Sequence, residues 1–244
     1  MITDLIITDL TNMHADRICV AAVDNHSRSI RPLFRNRHLF RNWCNQGNQT
    51  IQPFSRIQVD LIEHRSQPPH TEDWIMADNY LRVQGVLADR EKRPLIESTL
   101  SPNVASIFGT PIMQVERAGT FVASGQGFRS LGTVLVNNVG KFSHAYYEGH
   151  RDYRVSFSDQ SGTQYRLKIV DLTFQAYVDH LFNLQNENDD LEGRINQLFR
   201  HRDIFFRIGL ARNWGKFPDR CYLQITGVYA FPDYLHGRCF ADFQ

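Results

Sequence analysis

The sequence is poor in lysine, and its basic residues are almost all arginine. Only four of its 27 basic residues are lysine, and 26 acidic residues hold the formal net charge at +1. This balance excludes a protein that coats nucleic acid with an even layer of positive charge, although it allows a local basic patch. Because the planar guanidinium group forms bidentate contacts with carboxylates and phosphates, the scarcity of lysine favours recognition of anions.

Cysteine pairs and long apolar runs are also missing. None of the four cysteines belongs to a C-x-x-C pair, which argues against a zinc ribbon and against a redox dithiol. No apolar run is long enough to cross a bilayer. The first ten residues, MITDLIITDL, contain aspartates and no positively charged residue before the apolar stretch, so they do not resemble a signal peptide. We therefore expect a cytoplasmic protein without a membrane partner.

The motifs of several enzyme classes are absent as well. The glycine-rich stretch GQGFRSLG (125–132) lacks the spacing of a phosphate-binding loop, and the chain has no G-x-S-x-G nucleophile motif. His64, His70, Glu72 and Asp73 are close in sequence, but no pair has the i, i+4 spacing of a helical metal site. The sequence thus predicts no catalytic residue, no metal and no cofactor, and we expect a protein that is not an enzyme.

Strand patterns dominate the rest of the chain. RICVAAVD (17–24) is an almost continuous apolar run, and the turn after it leads into SIRPLF (29–34), which predicts an early hairpin. RIQVDLIEH (56–64) alternates apolar and polar residues, as a half-buried strand does. Helical patterns are predicted within 94–108 and 172–201. Because each half of the chain combines strands with a helical insertion, we expect two small β-barrels.

Four short stretches resemble a known family. They are RICVAAVDNHSRSIRPL (17–33), PHTEDW (69–74), YRLKIVDLTF (165–174) and FRIGLARNW with CYLQITGVYAFPDY (206–214 and 221–234). Together they resemble the prokaryotic dual OB-fold domain family. The resemblance implies a mainly β protein with two tandem OB-like antiparallel barrels, and a nucleic-acid or nucleotide role beside prokaryotic conflict systems. We place the domains at 1–120 and 121–244, with the helical insertion 172–201 in the second.

An arginine-rich segment, SRSIRPLFRNRHLFRNW (27–43), is the first candidate site. Phosphates favour guanidinium groups and unstacked bases favour aromatic faces, so this mixture is typical of single-stranded nucleic-acid binding. In the alternative, the aromatic rings belong to the core and the arginines only solvate a loop. Arg31, which precedes proline in an apolar strand, is expected to form a structural ion pair. The candidates for nucleic-acid contact are Arg28, Arg35, Arg37 and Arg41.

A hairpin over 153–169 is the second candidate site. If residues 160–162 form a three-residue loop, the register places Arg154 opposite Lys168 and Ser156 opposite Arg166. Like charges directly across a ladder destabilise a hairpin by about 0.2–1 kcal/mol. Either an acidic neighbour such as Asp152 or Asp171, or a bound phosphate, must compensate them. The candidate residues of this hairpin are Arg154, Arg166 and Lys168.

The loop RNWGKFPDR (212–220) is the third candidate site, between the strands of a closing hairpin. Arg212 and Lys216 are predicted to contact phosphates. Trp214 is either a base-stacking platform or a plug of the barrel, and of the two interpretations we favour the plug slightly.

The sequence therefore predicts a module that binds single-stranded or structured DNA or RNA, as an accessory or sensor subunit of a prokaryotic defence system. One alternative is a scaffold that holds an effector protein subunit, which an exposed apolar patch without a basic groove would favour. Another is a sensor of a small nucleotide ligand, which needs a closed pocket.

Overall fold

The computed structural model describes residues 1–116, 119–147, 150–184 and 190–243. The protein is mainly β. The strands of the first half are β1 (Ile2–Asn12), β2 (Arg17–Val23), β3 (Ser29–Leu33), β4 (Leu39–Phe40), β5 (Asn45–Gln46), β6 (Gln49–Thr50), β7 (Ser55–His64) and β8 (Asp73–Val86). Those of the second half are β9 (Met113–Val115), β10 (Gly119–Ala123), β11 (Leu131–Tyr147), β12 (His150–Asp159), β13 (Gln164–Ile169), β14 (Asp203–Leu210) and β15 (Arg220–Phe231).

Two five-stranded barrels with the same topology form the molecule. In the first, the strands follow one another around the barrel as β1, β2, β3, β8 and β7, and β7 pairs with β1 again. In the second, the order is β11, β12, β13, β15 and β14, closing on β11. Each barrel has one parallel pair, β3 with β8 and β13 with β15. This partly parallel Greek-key closure is that of the OB fold, which confirms the predicted pair of tandem OB-like barrels.

The predicted strands and their registers are largely confirmed. β2 and β3 form the early hairpin, and β7 buries Ile57, Val59 and Leu61 while the side chains between them are more exposed. In the second barrel, β12 and β13 pair Val155 with Leu167 and Phe157 with Tyr165, in the predicted register. The three-residue loop between them is closed at Gly162, whose φ of +80° is left-handed and favours glycine.

The described residues form four α-helices, α1 (Asp89–Ser98), α2 (Ala105–Phe108), α3 (Leu172–Asn183) and α4 (Leu191–Phe199). The first begins earlier than the predicted 94–108, because the Glu91 side chain accepts a hydrogen bond from the Ala88 N–H and caps the helix there. The insertion predicted over 172–201 consists of α3 and α4, and part of it lies outside the described residues. No helix in the described ranges is both long and apolar enough to span a bilayer.

The predicted division after residue 120 falls inside β10, and both β9 and β10 belong to the second sheet. β9 pairs with β10, and β10 pairs with β15, so residues from 113 onward extend the sheet of the second barrel. The domain boundary at residue 120 stays a prediction.

The barrels share a buried junction. A small apolar cluster lies between them, in which Phe54 packs on Tyr229 with ring centroids 5.0 Å apart. Beside it, Asp9 of the first barrel accepts hydrogen bonds from Arg207 Nε at 2.9 Å and Thr226 Oγ1 at 2.5 Å, both of the second barrel. Arg207 and Asp9 are 0% and 1% exposed, so this ion pair fixes the two barrels from within their interface.

Candidate functional site

A groove of about 1700 Å³ runs between the two barrels. Residues of both barrels line it, and cations outnumber carboxylates among them. The cationic lining residues are Arg17, Arg31, Arg35, Arg37, Arg41, Arg65, Arg151, Lys168 and Arg212, and the acidic ones are Asp9, Asp16, Asp73 and Asp179. The groove is therefore a basic cleft in a molecule whose formal net charge is only +1.

The groove lies on the faces that OB barrels use for ligands. An OB barrel binds oligonucleotides on its second and third strands and on the loops between strands 1 and 2 and between strands 4 and 5. In the first barrel these are β2, β3 and segments 13–16 and 65–72, and each contributes to the lining. In the second barrel β12, β13 and the loop 211–219 contribute as well. The two ligand faces therefore meet at one groove.

The segment between β3 and β4 forms the arginine-rich wall of the first barrel. The guanidinium of Arg37 stacks 3.8 Å from the centroid of the Phe34 ring, and its Nε lies 3.8 Å from the Asp78 carboxylate. Arg35 is paired with Glu63. All of these charged groups are at least 43% exposed, so solvent screens the pairs and the guanidinium groups stay accessible from the groove.

In the second barrel, Asp152 compensates the cations of the β12–β13 hairpin. Its carboxylate is 3.0 Å from Arg154 Nε and 3.1 Å from Lys168 Nζ. The acidic-neighbour alternative is therefore confirmed for this pair. Arg166 instead donates to Ser143 Oγ at 3.2 Å. The other carboxylate considered, Asp171, caps helix α3 through the Thr173 and Phe174 N–H groups.

The interpretation of Trp214 as a barrel plug is wrong. Its side chain is 55% exposed, because residues 214 and 217 pair at the tip of the loop and keep the ring outside the barrel. The ring packs edge-on against Phe217, with centroids 5.6 Å apart. Lys216 Nζ lies 5.6 Å from the Phe217 centroid, and Arg212 turns the other way, to Asp73 of the first barrel at 2.5 Å.

Asp73 is the centre of a polar network at the floor of the groove. Its other oxygen accepts from Arg31 Nη1 at 3.0 Å, which confirms the structural ion pair expected of Arg31. His70 Nδ1 lies 3.0 Å from the same guanidinium nitrogen. Burial, with the charges of Arg31 and Arg212, lowers the pKa of His70 to about 3. His70 is therefore neutral, with Nδ1 as the acceptor.

His70 Nδ1 faces the Arg31 guanidinium, and among the described residues Nε2 has no hydrogen-bond partner. In the part of the chain that the structure describes, no group of three or more His, Cys, Asp or Glu side chains could hold a metal ion. The neighbouring Glu72 also joins the two halves of the chain, because its carboxylate accepts hydrogen bonds from the Ser130 and Leu131 N–H groups.

The sequence profile of the dual OB-containing domain family matches residues 6–228. The chain belongs to this family.

Two solved structures are similar to this dual OB chain. One is described as a replication protein A heterotrimer bound to ssDNA, with 10% identity and a TM-score of 0.39, and the match covers 100% of this chain and 51% of that one. The other is a murine DNA-binding protein bound with double-stranded DNA, at 8% identity and a TM-score of 0.32, covering 94% of this chain and 96% of that one. The dual OB chain thus spans about half of the replication protein A chain. Curated protein sequences gave no significant match.

In the dual OB chain, the groove brings together six of the ten residues singled out from the sequence. These are Arg35, Arg37, Arg41, Lys168, Arg212 and Trp214. The other four, Arg28, Arg154, Arg166 and Lys216, are not among its lining residues. Arg28 is instead paired with Asp24 at 2.6 Å. Contact between any of the ten and nucleic acid stays a prediction.

Sequence reasoning missed four groove residues of the same chemistry. They are Arg17, Arg65, Tyr146 and Arg151. Arg17 is the first residue of β2 and Arg65 directly follows β7. Neither has a Phe, Tyr or Trp neighbour in the sequence that would have marked it. Tyr146 and Arg151 lie at the β11–β12 connection, where the alternating strand pattern alone gives no sign of a site.

Proposed function

We propose that this dual OB protein binds single-stranded nucleic acid in the groove between its barrels. The observation that supports the proposal is the meeting of two OB ligand faces at one groove whose lining carries nine cations and four carboxylates. A strand lying there would neutralise guanidinium groups with its phosphates, and each phosphate contact adds a salt-dependent increment of affinity.

Some groove cations of the described residues have no ion-pair partner, and others have only solvent-exposed partners. Among the described residues, Arg41 and Arg65 have no carboxylate within ion-pair distance, and Arg65 is exposed. Arg35 and Arg37 have only solvent-screened partners. Phosphate oxygens can therefore bind these groups at little cost, whereas Arg31 is fixed by its buried bond to Asp73.

The groove is also preformed. The barrels are joined across the interface by the buried Asp9–Arg207 pair and by Arg31, whose Nη2 donates to Ser130 Oγ at 2.7 Å. A rigid groove loses little conformational freedom when a strand enters it, and this favours affinity.

The test is fluorescence anisotropy of labelled single-stranded DNA and RNA over a salt series. We expect affinity to fall steeply with salt. Arg65→Ala should lower affinity and flatten the slope of log K against log salt by about 0.7, which is the contribution of one phosphate on a single strand. Arg90→Ala is the matched control, because this exposed arginine of α1 is neither part of the groove lining nor one of the ten candidates, and its slope should equal that of the wild type.

The proposal fails if no oligonucleotide binds at micromolar protein and low salt. If both arginine variants lower the slope equally, the site is not the groove. An accessory or sensor role in a prokaryotic defence system remains a prediction from the family resemblance, and an effector protein as partner remains a prediction from the sequence.

A further inference from the structure

We infer that the ligand of the groove is a strand long enough to contact both barrels at once, with bases stacked on two separate rings, Tyr146 and Trp214. The inference rests on the proposed function and deepens it, because it chooses a polymer over a mononucleotide and names the residues that set the footprint.

The size of the groove is the first observation. Pockets that enclose small molecules have volumes of about 300–1,000 Å³, whereas this groove measures about 1700 Å³. A mononucleotide would therefore leave most of it empty.

The positions of the two rings are the second observation. Leu131, at the start of β11, pairs with Gly209, so the loop 211–219 with Trp214 lies beside that end of the strand. Tyr146 lies near the other end of the same strand. Both rings line the same groove, so the groove has a ring near each end of β11.

The rings are exposed at a level unusual for aromatic side chains. Tyr146 is 72% and Trp214 is 55% exposed, although large rings are normally among the more buried residues. Exposed rings beside guanidinium groups are the platforms on which unpaired bases stack. In a duplex the bases are already stacked on one another, so only a single strand offers both platforms a free base face.

The charges of the groove lining are the third observation. Arg151, Lys168 and Arg212 lie along the second-barrel wall, and Arg35, Arg37 and Arg41 lie along the wall opposite. One mononucleotide has one base and reaches only one platform, whereas a strand places a phosphate at each step between them. Binding at the second platform is then intramolecular, and affinity rises with strand length until both are reached.

The experiment is a length series of 3′-labelled oligothymidylates, from the dinucleotide to about 20 nucleotides, with thymidine monophosphate as an unlabelled competitor. We expect affinity to rise with length and then to level off. On the longest strand, Tyr146→Ala and Trp214→Ala should each weaken binding about 5- to 150-fold, which is the range for loss of one stacked base. On the dinucleotide, no more than one of the two variants should have an effect.

Phe128→Ala is the control, because this ring is 57% exposed but lies outside the groove lining. It should bind every strand like the wild type. Melting temperatures of all three variants are measured in parallel, and we expect those of the two groove variants to match the wild type since neither ring is buried.

The outcomes separate the two proposals. If thymidine monophosphate competes as well as the longest strand, or if Tyr146→Ala binds that strand like the wild type, this inference is wrong while nucleic-acid binding stands. If neither strands nor the monophosphate bind, the proposed function fails, and this inference fails with it.

Discussion

His70 is a buried histidine beside a buried arginine, and burial and the arginine together keep it neutral. Its pKa is lowered to about 3 by burial and by Arg31 and Arg212, whereas the unfolded side chain has a pKa near 6.5. Below pH 6.5 the unfolded chain therefore binds a proton that the folded protein does not. The contribution of neutral His70 to the free energy of unfolding is fully present above pH 6.5. It is lost as the pH falls toward 3, by up to about 1.4 kcal/mol per pH unit.

We expect urea unfolding to show this loss between pH 6.5 and 5. His70→Gln should remove that part of the pH dependence, because its amide oxygen can still accept from Arg31 and does not titrate. In NMR, the ring protons of His70 should show no titration between pH 8 and 5. A ring that titrates near pH 6.5 would contradict the neutral state.

At the residue scale, the sequence allowed part of the site to be predicted. Arg31 was assigned to an ion pair because a charge inside an apolar strand needs a partner, and Asp73 supplies it. The plug interpretation of Trp214 was wrong because the local sequence predicts a turn but does not show whether the Trp214 ring packs inside or outside the barrel. Tyr146 was missed, since the sequence has two adjacent tyrosines at 146 and 147 and does not show which of them faces a groove.

The β12–β13 hairpin is the element in which like charges face one another. Asp152 lies within 3.1 Å of both cations of the Arg154–Lys168 pair. Asp152→Asn should destabilise the protein by about 0.2–1 kcal/mol, because two like charges directly across a ladder lose their compensating group. The loss should be larger at low salt, where screening is weaker.

The measurement is chemical denaturation at two salt concentrations. Adding Lys168→Gln to the Asp152→Asn chain should recover most of the stability, since it removes one of the two repelling charges. If the double variant is as unstable as the single one, the aspartate stabilises the hairpin by something other than charge compensation.

At the element scale, local rules predicted most of what the structure contains. The register of this hairpin followed from the glycine that its turn requires, and the half-buried β7 followed from alternation. The start of α1 was misplaced because Pro94 resembles the first residue of a helix, whereas here it lies inside one that begins at Asp89. The cap at Glu91 is the signal that locates the true start.

At the scale of the whole molecule, one buried ion pair joins the barrels. Burial opposes ionisation of Asp9, but the charge and hydrogen bonds of Arg207, with those of Thr226 and Thr8, leave its pKa below the ordinary value. Asp9→Ala should cost about 3–5 kcal/mol, because it leaves the fully buried Arg207 guanidinium without a counter-charge.

A double-mutant cycle by denaturation checks this. We expect Asp9→Leu combined with Arg207→Met to be much less destabilising than the sum of the single changes, since the pair is then replaced by apolar groups. Additive losses would show that the two side chains act independently.

The groove itself could not have been predicted from the sequence. The groove exists because the two barrels are held in one particular orientation. The contacts that fix this orientation join residues that are far apart in the sequence. Asp9 and Arg207 are separated by 198 positions, and neither sequence neighbourhood indicates the other. The motifs predicted two barrels and several of the basic residues, but not that their ligand faces meet.

That separation has a consequence for the way the protein is made. All strands of the first barrel precede residue 87, so this barrel can close while Arg207 is still untranslated. At about 5–20 residues per second, ribosomes need about 10–40 s to add the 198 residues between the two partners. Until then only Thr8 among the side-chain hydrogen-bond partners of Asp9 is present in the growing chain, so we expect the carboxylate to stay hydrated on the surface of the first barrel. The order of translation thus allows Asp9 to be buried only when Arg207 is present to pair with it.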